Sequence, residues 1–584
     1  MKRILLPIVG CAVFLGCWAI LLGWAGVSPL AAADPSRPVY IFLSSTVDDH
    51  INTDISEDRI RRMVGMLEKV RAQAPSAGIN ATLLFSGAMS EQLEKQNGDN
   101  QLLDFIKASR NSGLLHAGYD GSNEPSSVRH PLMDFTGATN AEDRWSRRLA
   151  SADQVLTAAR DPLTGALLPN GSGGLKKMQE VFGPASYIRG VFLVLHNSLG
   201  PMVEVGSDTE IVHALERLNT NAVMEGIADS SPAHAGSSNY RGWVAALSTV
   251  LGADPDSSPE LFWQDGRLRS SEDGKSDLRL FRASAGVVSL KKALAGMDRS
   301  RIRILHIQIA NQTNHAKPMP THARPDVPLT YAYLHPEQPK YPAELRHSKA
   351  ETDAAYANEE AVLHYLAAEF FPANPGSRFV SSEDLKRMTP PAWGYDLGTD
   401  KLRAAVQEML AAWGDAPQPP KFLRVEGHFL SEADLFGVLA DALAQMNRTG
   451  SLPATVRVPH IFGPIRTAQP QPPVLGEATV ASVAQTCTRL ADESHHESWT
   501  PIPRNAVPSE VVVGGLVVSP SQFLRLMAEA LVAPAAETRL TIKPTEMFWG
   551  RPAVFYRRRP LTEIGSSWTF KPAPIRAEDS AAGR

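Results

Sequence analysis

Residues 39–54 read VYIFLSSTVDDHINTD, a β-branched and apolar run that passes directly into Asp48, Asp49 and His50. Such a run is a strand, and the residues after it are helical: Ile60, Met63, Val64, Leu67 and Val70 step by three and four residues along one face. Two adjacent acids at a strand end point in opposite directions, but a turn there lets both reach one pocket, where one binds a divalent cation and the other takes a proton. A lone Asp-Asp pair also serves simply to start the turn toward the helix. Its place at the C-terminal end of a first strand weighs toward function, because α/β barrels build their sites there.

Outward from this stretch the pattern repeats. INATLLFSG (79–87) is a second strand, SEQLEK and QLLDFIKASR are helical, and GLLHAGYDG (113–121) is a third short strand ending in glycine and aspartate. The alternation implies parallel strands joined by crossover helices. Further strand candidates are YIRGVFLVL (187–195), NAVMEGIA (221–228), LRLFRAS (278–284), RIRILHIQIA (301–310) and SRFVS (377–381). Eight candidate strands between about residues 38 and 390 predict an α/β fold, a (β/α) barrel, regular or distorted, rather than an open doubly wound sheet. The Pro- and His-rich segment 311–350 reads as a long loop beyond a strand end, where barrels carry binding residues.

The 584 residues are enough for two to four domains with sizeable cores. A formal net charge of −4 gives no basic field, so no nucleic-acid partner is expected. Lys2 and Arg3 precede an apolar run from Ile4 to about Val27, and SPLAAADP places Ala31 and Ala33 in a cleavage pattern. Residues 1–33 are therefore expected to be a signal peptide for secretion or export to the periplasm of a bacterial envelope. Left uncleaved, the run would anchor the chain in a membrane. Cys11 lies too early in the apolar run for a lipoprotein signal, and with Cys17 it falls inside the segment. The mature chain then keeps only Cys487 and forms no internal disulfide.

Past residue 415 the character changes. GDAPQPP (414–420) and TAQPQPPVLGE (467–477) read as linkers, and HFLSEADLFGVLADALA (428–444) aligns with LVVSPSQFLRLMAEALV (516–532), 88 residues on. Ser431 and Ser519 stand as N-caps of the two helices. A smaller, mainly helical C-terminal repeat region is expected: a linker helix and first repeat over 391–466, a second repeat with a C-terminal segment over 478–570, and a disordered tail over 571–584.

The order STVDDHIN (45–52), helix, ATLLFSG (81–87), SGLLHAGYDG (112–121) resembles the polysaccharide deacetylase group of the glycoside hydrolase/deacetylase barrels. SRFVSSEDL (377–385) is similar to the strand and helix that close such barrels. The resemblance covers about residues 38–390. It implies Asp48 as general base, Asp49 as a metal ligand, and His306, in IRILHIQI, as the late general acid. At the third strand Gly118 aligns with the family glycine, which puts Asp120 where the family has its first histidine ligand; His130, in SVRHPL, stands for the second. The implied cofactor is a divalent metal, zinc or similar, held by Asp49, Asp120 and His130, a set less zinc-selective than two histidines with one aspartate. His315, His322 and His335 compete with His306, whose flanking alternation also suits a core position; His50 is an alternative ligand, and His116 reads as packed in its strand. Paired carboxylates on the same barrel, Asp49 or Asp120 with Glu124 or Glu225, would instead suit a glycoside hydrolase. No GxSxG element supports a serine hydrolase.

Residues 429–458, with a helix, the turn TGSLP and the strand TVRV, resemble the pseudomurein-binding repeat; the second copy lacks the Leu-Pro. That resemblance implies a polysaccharide or cell-wall glycan as partner. The expected function is an exported metal-dependent deacetylase of an N-acetylated envelope polysaccharide, or, with the third-strand histidine missing, a catalytically silent glycan-binding protein.

Overall fold

β1 (Val39–Val47) is buried along its whole length, so it is an interior strand with both faces covered. The computed structural model describes residues 37–47, 53–85, 87–120, 174–189, 223–226, 242–245, 249–251, 281–295, 299, 302–311, 314–315, 346–388, 391, 393–416, 419–420, 422–461, 463, 474–493, 506–508, 510–533, 535–545, 568 and 571–573. The expected signal peptide and most of the 311–350 segment lie outside them. Among the described residues no helix is long and apolar enough to cross a membrane.

The main sheet is built from β1, β2 (Ala81–Phe85), β3 (Leu115–Asp120), β4 (Tyr187–Arg189), β5 (Val223–Gly226), β6 (Gly242–Ala245), β7 (Thr249–Leu251), β8 (Phe281–Arg282), β9 (Arg303–Gln308), β10 (Arg378–Val380) and β19 (Lys571–Ala573). Its order is β8-β9-β1-β2-β3-β4-β5-β6-β7-β19. Strands β8, β9 and β1 to β5 are mutually parallel, as the strand–helix alternation predicts. On one side β1 pairs β9 from Val39↔Arg303 to Ser44↔Gln308. On the other it pairs β10 over Tyr40–Phe42 and β2 over Ser44–Val47, so β10 is wedged beside β1 at the N-terminal end of β2.

The helices α1 (Thr53–Gln73), α2 (Gly87–Asn100), α3 (Leu102–Asn111), α4 (Gly174–Phe182), α5 (Gly286–Ala295) and α6 (Lys349–Tyr365) accompany these strands. Alternation along β1 sorts its side chains: Val39, Ile41, Leu43 and Val47 join the larger core, to which α1, α3, α4 and α6 contribute, whereas Tyr40 and Phe42 face a second cluster with Leu84, Tyr187 and Ile304. β4 lies four strands from β9, about 19 Å in a flat sheet. Yet the rings of Tyr187 and His306 approach to 6.3 Å, and Tyr187 to Phe42 is 5.0 Å. The sheet therefore curls strongly, with these side chains on its concave face. The curl depends on close packing at Gly118, where a Cβ would lie 2.6 Å from Leu84 Cδ2 and 2.9 Å from the Tyr187 carbonyl oxygen.

Two features depart from a simple strand–helix alternation. β6 runs antiparallel to both β5 and β7, and the other edge of β7 is taken by β19. Lys571–Ala573, expected to open a disordered tail, thus form a strand, because β7 offers unpaired backbone groups. The helix α7 (Ser382–Arg387), after β10, starts from a capping box between Ser381 and Asp384. It lays Leu385 and Met388 against Phe42, Leu84, Tyr187 and Ile304 on the concave face.

The C-terminal repeats are larger than the matched helices alone. The first comprises β11 (Asp396–Gly398), α8 (Thr399–Trp413), β12 (Phe422–Val425), β13 (His428–Ser431), α9 (Glu432–Thr449) and β14 (Thr455–Arg457). The second comprises β15 (Gly476–Thr479), α10 (Val480–Glu493), β16 (Val511–Val513), β17 (Leu516–Val518), α11 (Pro520–Val532) and β18 (Arg539–Ile542). In each, the outer strands pair antiparallel and the inner two form a hairpin. The hairpin turns Glu426-Gly427 and Gly514-Gly515 have positive φ at both residues, the geometry that matches strand twist in two-residue loops. Both expected N-caps are present, Ser431 with Asp434 and Ser519 with Gln522, each in a capping box. The two repeats share one core, in which Phe436 of α9 meets Phe523 of α11 at 5.9 Å. The Pro-rich segment 414–420 joins α8 to β12 within the first repeat, and four short strands per repeat accompany the expected helices.

The first repeat carries two ring stacks the second lacks. Trp393 stacks on His460 at 3.8 Å and Tyr395 on His428 at 4.0 Å, all four half-buried. At the corresponding positions the second repeat has Val474 with Pro544 and Gly476 with Leu516. Gly476 leaves room there, since a Cβ would lie 2.8 Å from Leu516 Cδ1.

Candidate functional site

β1 and β3 lead to one edge of the sheet. Val47, Phe85 and Tyr119 form a row across β1, β2 and β3, and Asp120 stands one residue beyond it, opposite Arg189 of β4. The backbone thus brings Asp120 to the edge at which β1 ends. Asp48, Asp49, His50 and His130 lie outside the described residues, as do Glu124, His322 and His335. Glu225 is in β5, opposite Trp243 of β6. Among the described residues no group of three His, Cys, Asp or Glu side chains is placed to hold a metal ion.

His306 is elsewhere. It pairs with Phe42, five residues before Val47, which at the strand rise is about 16 Å back from the edge. Its side chain is fully buried, with Nε2 2.7 Å from Ser44 Oγ and the Phe42 ring 5.0 Å away. Strand register fixes His306 on the concave face, and Asp48 and Asp49, beside which it was expected as general acid, lie outside the described residues. His116, two residues before Gly118, is half-buried, and burial lowers its pKa against the opposing pull of Asp384 and Glu383.

A buried polar network that crosses to β9 and the helices holds the end of β1. Gln308 Nε2 donates to Thr46 Oγ1 at 3.1 Å, and Asn311 Nδ2 donates to Gln308 Oε1 at 3.2 Å. Ser45 Oγ donates to the Ala310 carbonyl at 3.0 Å, and the guanidinium of Arg59, from α1, donates to the Thr46 carbonyl. From α6, Glu359 accepts from the Ala310 N–H at 2.9 Å and from Asn314 Nδ2 at 2.8 Å. Burial pushes the Glu359 carboxyl up to about 7, opposed by those two hydrogen bonds and by Arg59. Each member is at most 6 % exposed, so each hydrogen bond replaces water the group has lost.

His315, in the turn after β9, places Nε2 2.8 Å from the Tyr356 hydroxyl and 3.7 Å from Asp58. Burial, with Arg59 close by, lowers its pKa to about 4, so it is neutral near pH 7 and its imidazole is turned toward the helices. The network itself is composed of residues from 45 to 359 in sequence. Its local trace is the amide-rich QIANQTN (308–314) directly after an apolar strand.

No family model and no curated protein matches the chain. Among solved structures it is similar to a 4-alpha-glucanotransferase from Thermococcus litoralis at 12 % identity and a TM-score of 0.26, over 71 % of this chain. The chain spans 47 % of the length of that protein.

Proposed function

We propose that this chain is an exported deacetylase acting on an N-acetylated envelope polysaccharide, with the curled sheet as part of a (β/α) barrel, regular or distorted. The reading is carried by one observation: β1, which runs into Asp48 and Asp49, and β3, which ends in Asp120, reach the same sheet edge. Two carboxylates with an imidazole, Asp49, Asp120 and His130, suit a divalent cation, and the oxygen-rich set accommodates a harder ion than zinc. Bound there, such an ion supplies polarisation of the acetamido carbonyl and a more acidic water. Asp48 takes the proton from that water as general base. The proton for the leaving amine comes from His306, with His315, His322 and His335 of the segment after β9 as the alternatives. The amide network keeps the end of β1 from fraying, which fixes where the acid pair begins.

The test is metal content and acetate release from N-acetylated glycans by the purified chain. Bound divalent metal and released acetate, both lost in Asp49→Ala, are expected; a metal-free chain that releases no acetate rejects the reading. Release of reducing ends instead would identify a glycoside hydrolase.

A second reading, a silent glycan-binding protein, is favoured by the first repeat. Its Trp393–His460 and Tyr395–His428 stacks stand where the second repeat, with the same fold, has the non-aromatic residues Val474 with Pro544 and Gly476 with Leu516. Aromatic faces attract the weakly positive C–H groups of sugar rings, and imidazoles bond their hydroxyls. Retention on insoluble cell-wall glycan, lost in Trp393→Ala without loss of fold, is the expected outcome.

A further inference from the structure

Ala310 has φ +45°, a left-handed conformation that L side chains rarely adopt. Its two peptide groups are gripped from different elements: Glu359 of α6 accepts its N–H at 2.9 Å, and Ser45 of β1 donates to its carbonyl at 3.0 Å. The other oxygen of the same carboxylate takes Asn314 Nδ2 at 2.8 Å. Asn314 is further fixed by its N–H on the Asn311 carbonyl at 2.9 Å and by Thr352 Oγ1 on its own carbonyl at 3.0 Å. One carboxylate thus closes the turn 310–314 at both ends. That turn bears on Ser45, and Arg59, whose charge faces Glu359, also holds the Thr46 carbonyl. Ser45 and Thr46 are the two residues before Val47, where β1 ends.

We propose that Glu359 is a positioning residue for the β1 edge: its hydrogen bonds hold the turn after β9 in the left-handed form that fixes Ser45, and through it the start of the acid pair. The role rests on the proposed use of that edge as the site. It is a role of hydrogen bonds rather than of charge. A neutral side chain of the same shape serves equally, because the Asn314 carboxamide can turn over and accept where it now donates. The raised pKa agrees, since the turn then tolerates the protonated acid near neutral pH. Arg59 on α1 and Tyr356 on α6 face Glu359 directly, and Asp58, Arg62 and Arg346 act on the adjoining Tyr356 and His315.

The test is amide hydrogen exchange across residues 308–315 in the full chain, with acetate release assayed in parallel. Glu359→Leu removes both acceptors, and exchange at Ala310 should rise on the order of tenfold or more, with β2 and β3 unchanged as the control for global opening. Glu359→Gln should keep protection within about threefold and remove any step in Ala310 exchange near pH 7. If Glu359→Leu does not fold, Asn314→Leu removes one arm and should raise exchange over the same residues. Unchanged exchange in the Leu variants, or Glu359→Gln behaving like Glu359→Leu, overturns the proposal. Loss of acetate release in Glu359→Leu, with kcat falling more than KM rises and Glu359→Gln retaining it, supports the positioning role. A native chain that shows the exchange pattern but releases no acetate rejects the deacetylase reading and leaves the clamp standing.

Discussion

Ser44 Oγ and His306 Nε2 meet at 2.7 Å across the β1–β9 pair, and neither side chain reaches solvent. In a pocket lined by Phe42 and Tyr187 this hydrogen bond satisfies Nε2 of an imidazole that water cannot reach. Ser44→Ala removes the partner while leaving the ring buried, and should cost about 1–3 kcal/mol in urea denaturation. A change within a few tenths of a kcal/mol would mean that His306 is held by its other contacts.

Gly118 and Gly65 should respond in opposite directions to alanine. At Gly118 the new methyl meets Leu84 and the Tyr187 backbone below 3.0 Å, so overpacking of about 1–3 kcal/mol is expected, with a shifted Tyr187 environment in its fluorescence. At Gly65, inside α1, a Cβ meets nothing within 4 Å, and replacing a helical glycine should stabilise by about 0.5–1 kcal/mol. Thermal melts of the two variants check both signs.

The capping boxes of the two repeats are chemically equivalent. Ser431→Ala and Ser519→Ala should each lower stability by about 1 kcal/mol. Because α9 and α11 contribute to one core, each variant should shift a single transition for both repeats, read by calorimetry. Two separate transitions would show that the repeats unfold independently.

Glu359 and His315 give opposite pH slopes. The folded carboxyl titrates at about 7, above its ordinary value of 4.5, so its contribution to stability is highest below pH 4.5 and declines as pH rises toward 7. His315 titrates at about 4 against an ordinary value of 6.5, so stability is lost as pH falls from 6.5 to 4. Each shift is worth roughly 3 kcal/mol at most, at about 1.4 kcal/mol per pH unit. Relative to the native chain, Glu359→Gln should lose more stability on acidification, and His315→Gln should lose less. Denaturation midpoints at pH 4.5, 5.5, 6.5 and 7.5 would reveal the difference between variants, from which titrations common to all of them cancel.

The parallel start of the sheet is legible because residues 39–120 alternate between short continuous apolar or β-branched runs and helical three-four spacing. The antiparallel β5–β6–β7 part is not, since its strands are three or four residues long and GWVA and TVL have no room to display a period. In the repeats the helices announce themselves through serine caps and apolar faces. The hairpins before them are encoded only in Glu426-Gly427 and Gly514-Gly515, a short signal easily passed over. At the candidate site, the edge at which Asp120 arrives is set by strand order, but the depth of His306 is set by register with Phe42, which periodicity does not specify. Glu359 is invisible in the sequence for another reason: it sits on a helix 300 residues after Arg59, and only folding makes them neighbours.

The helix after β10 carries a consequence for solvation. With Leu385 and Met388 set against Phe42, Leu84, Tyr187 and Ile304, this part of the concave face is covered by apolar side chains. The Ser44–His306 hydrogen bond, between two side chains of zero exposure, therefore lies under an apolar cover rather than against solvent.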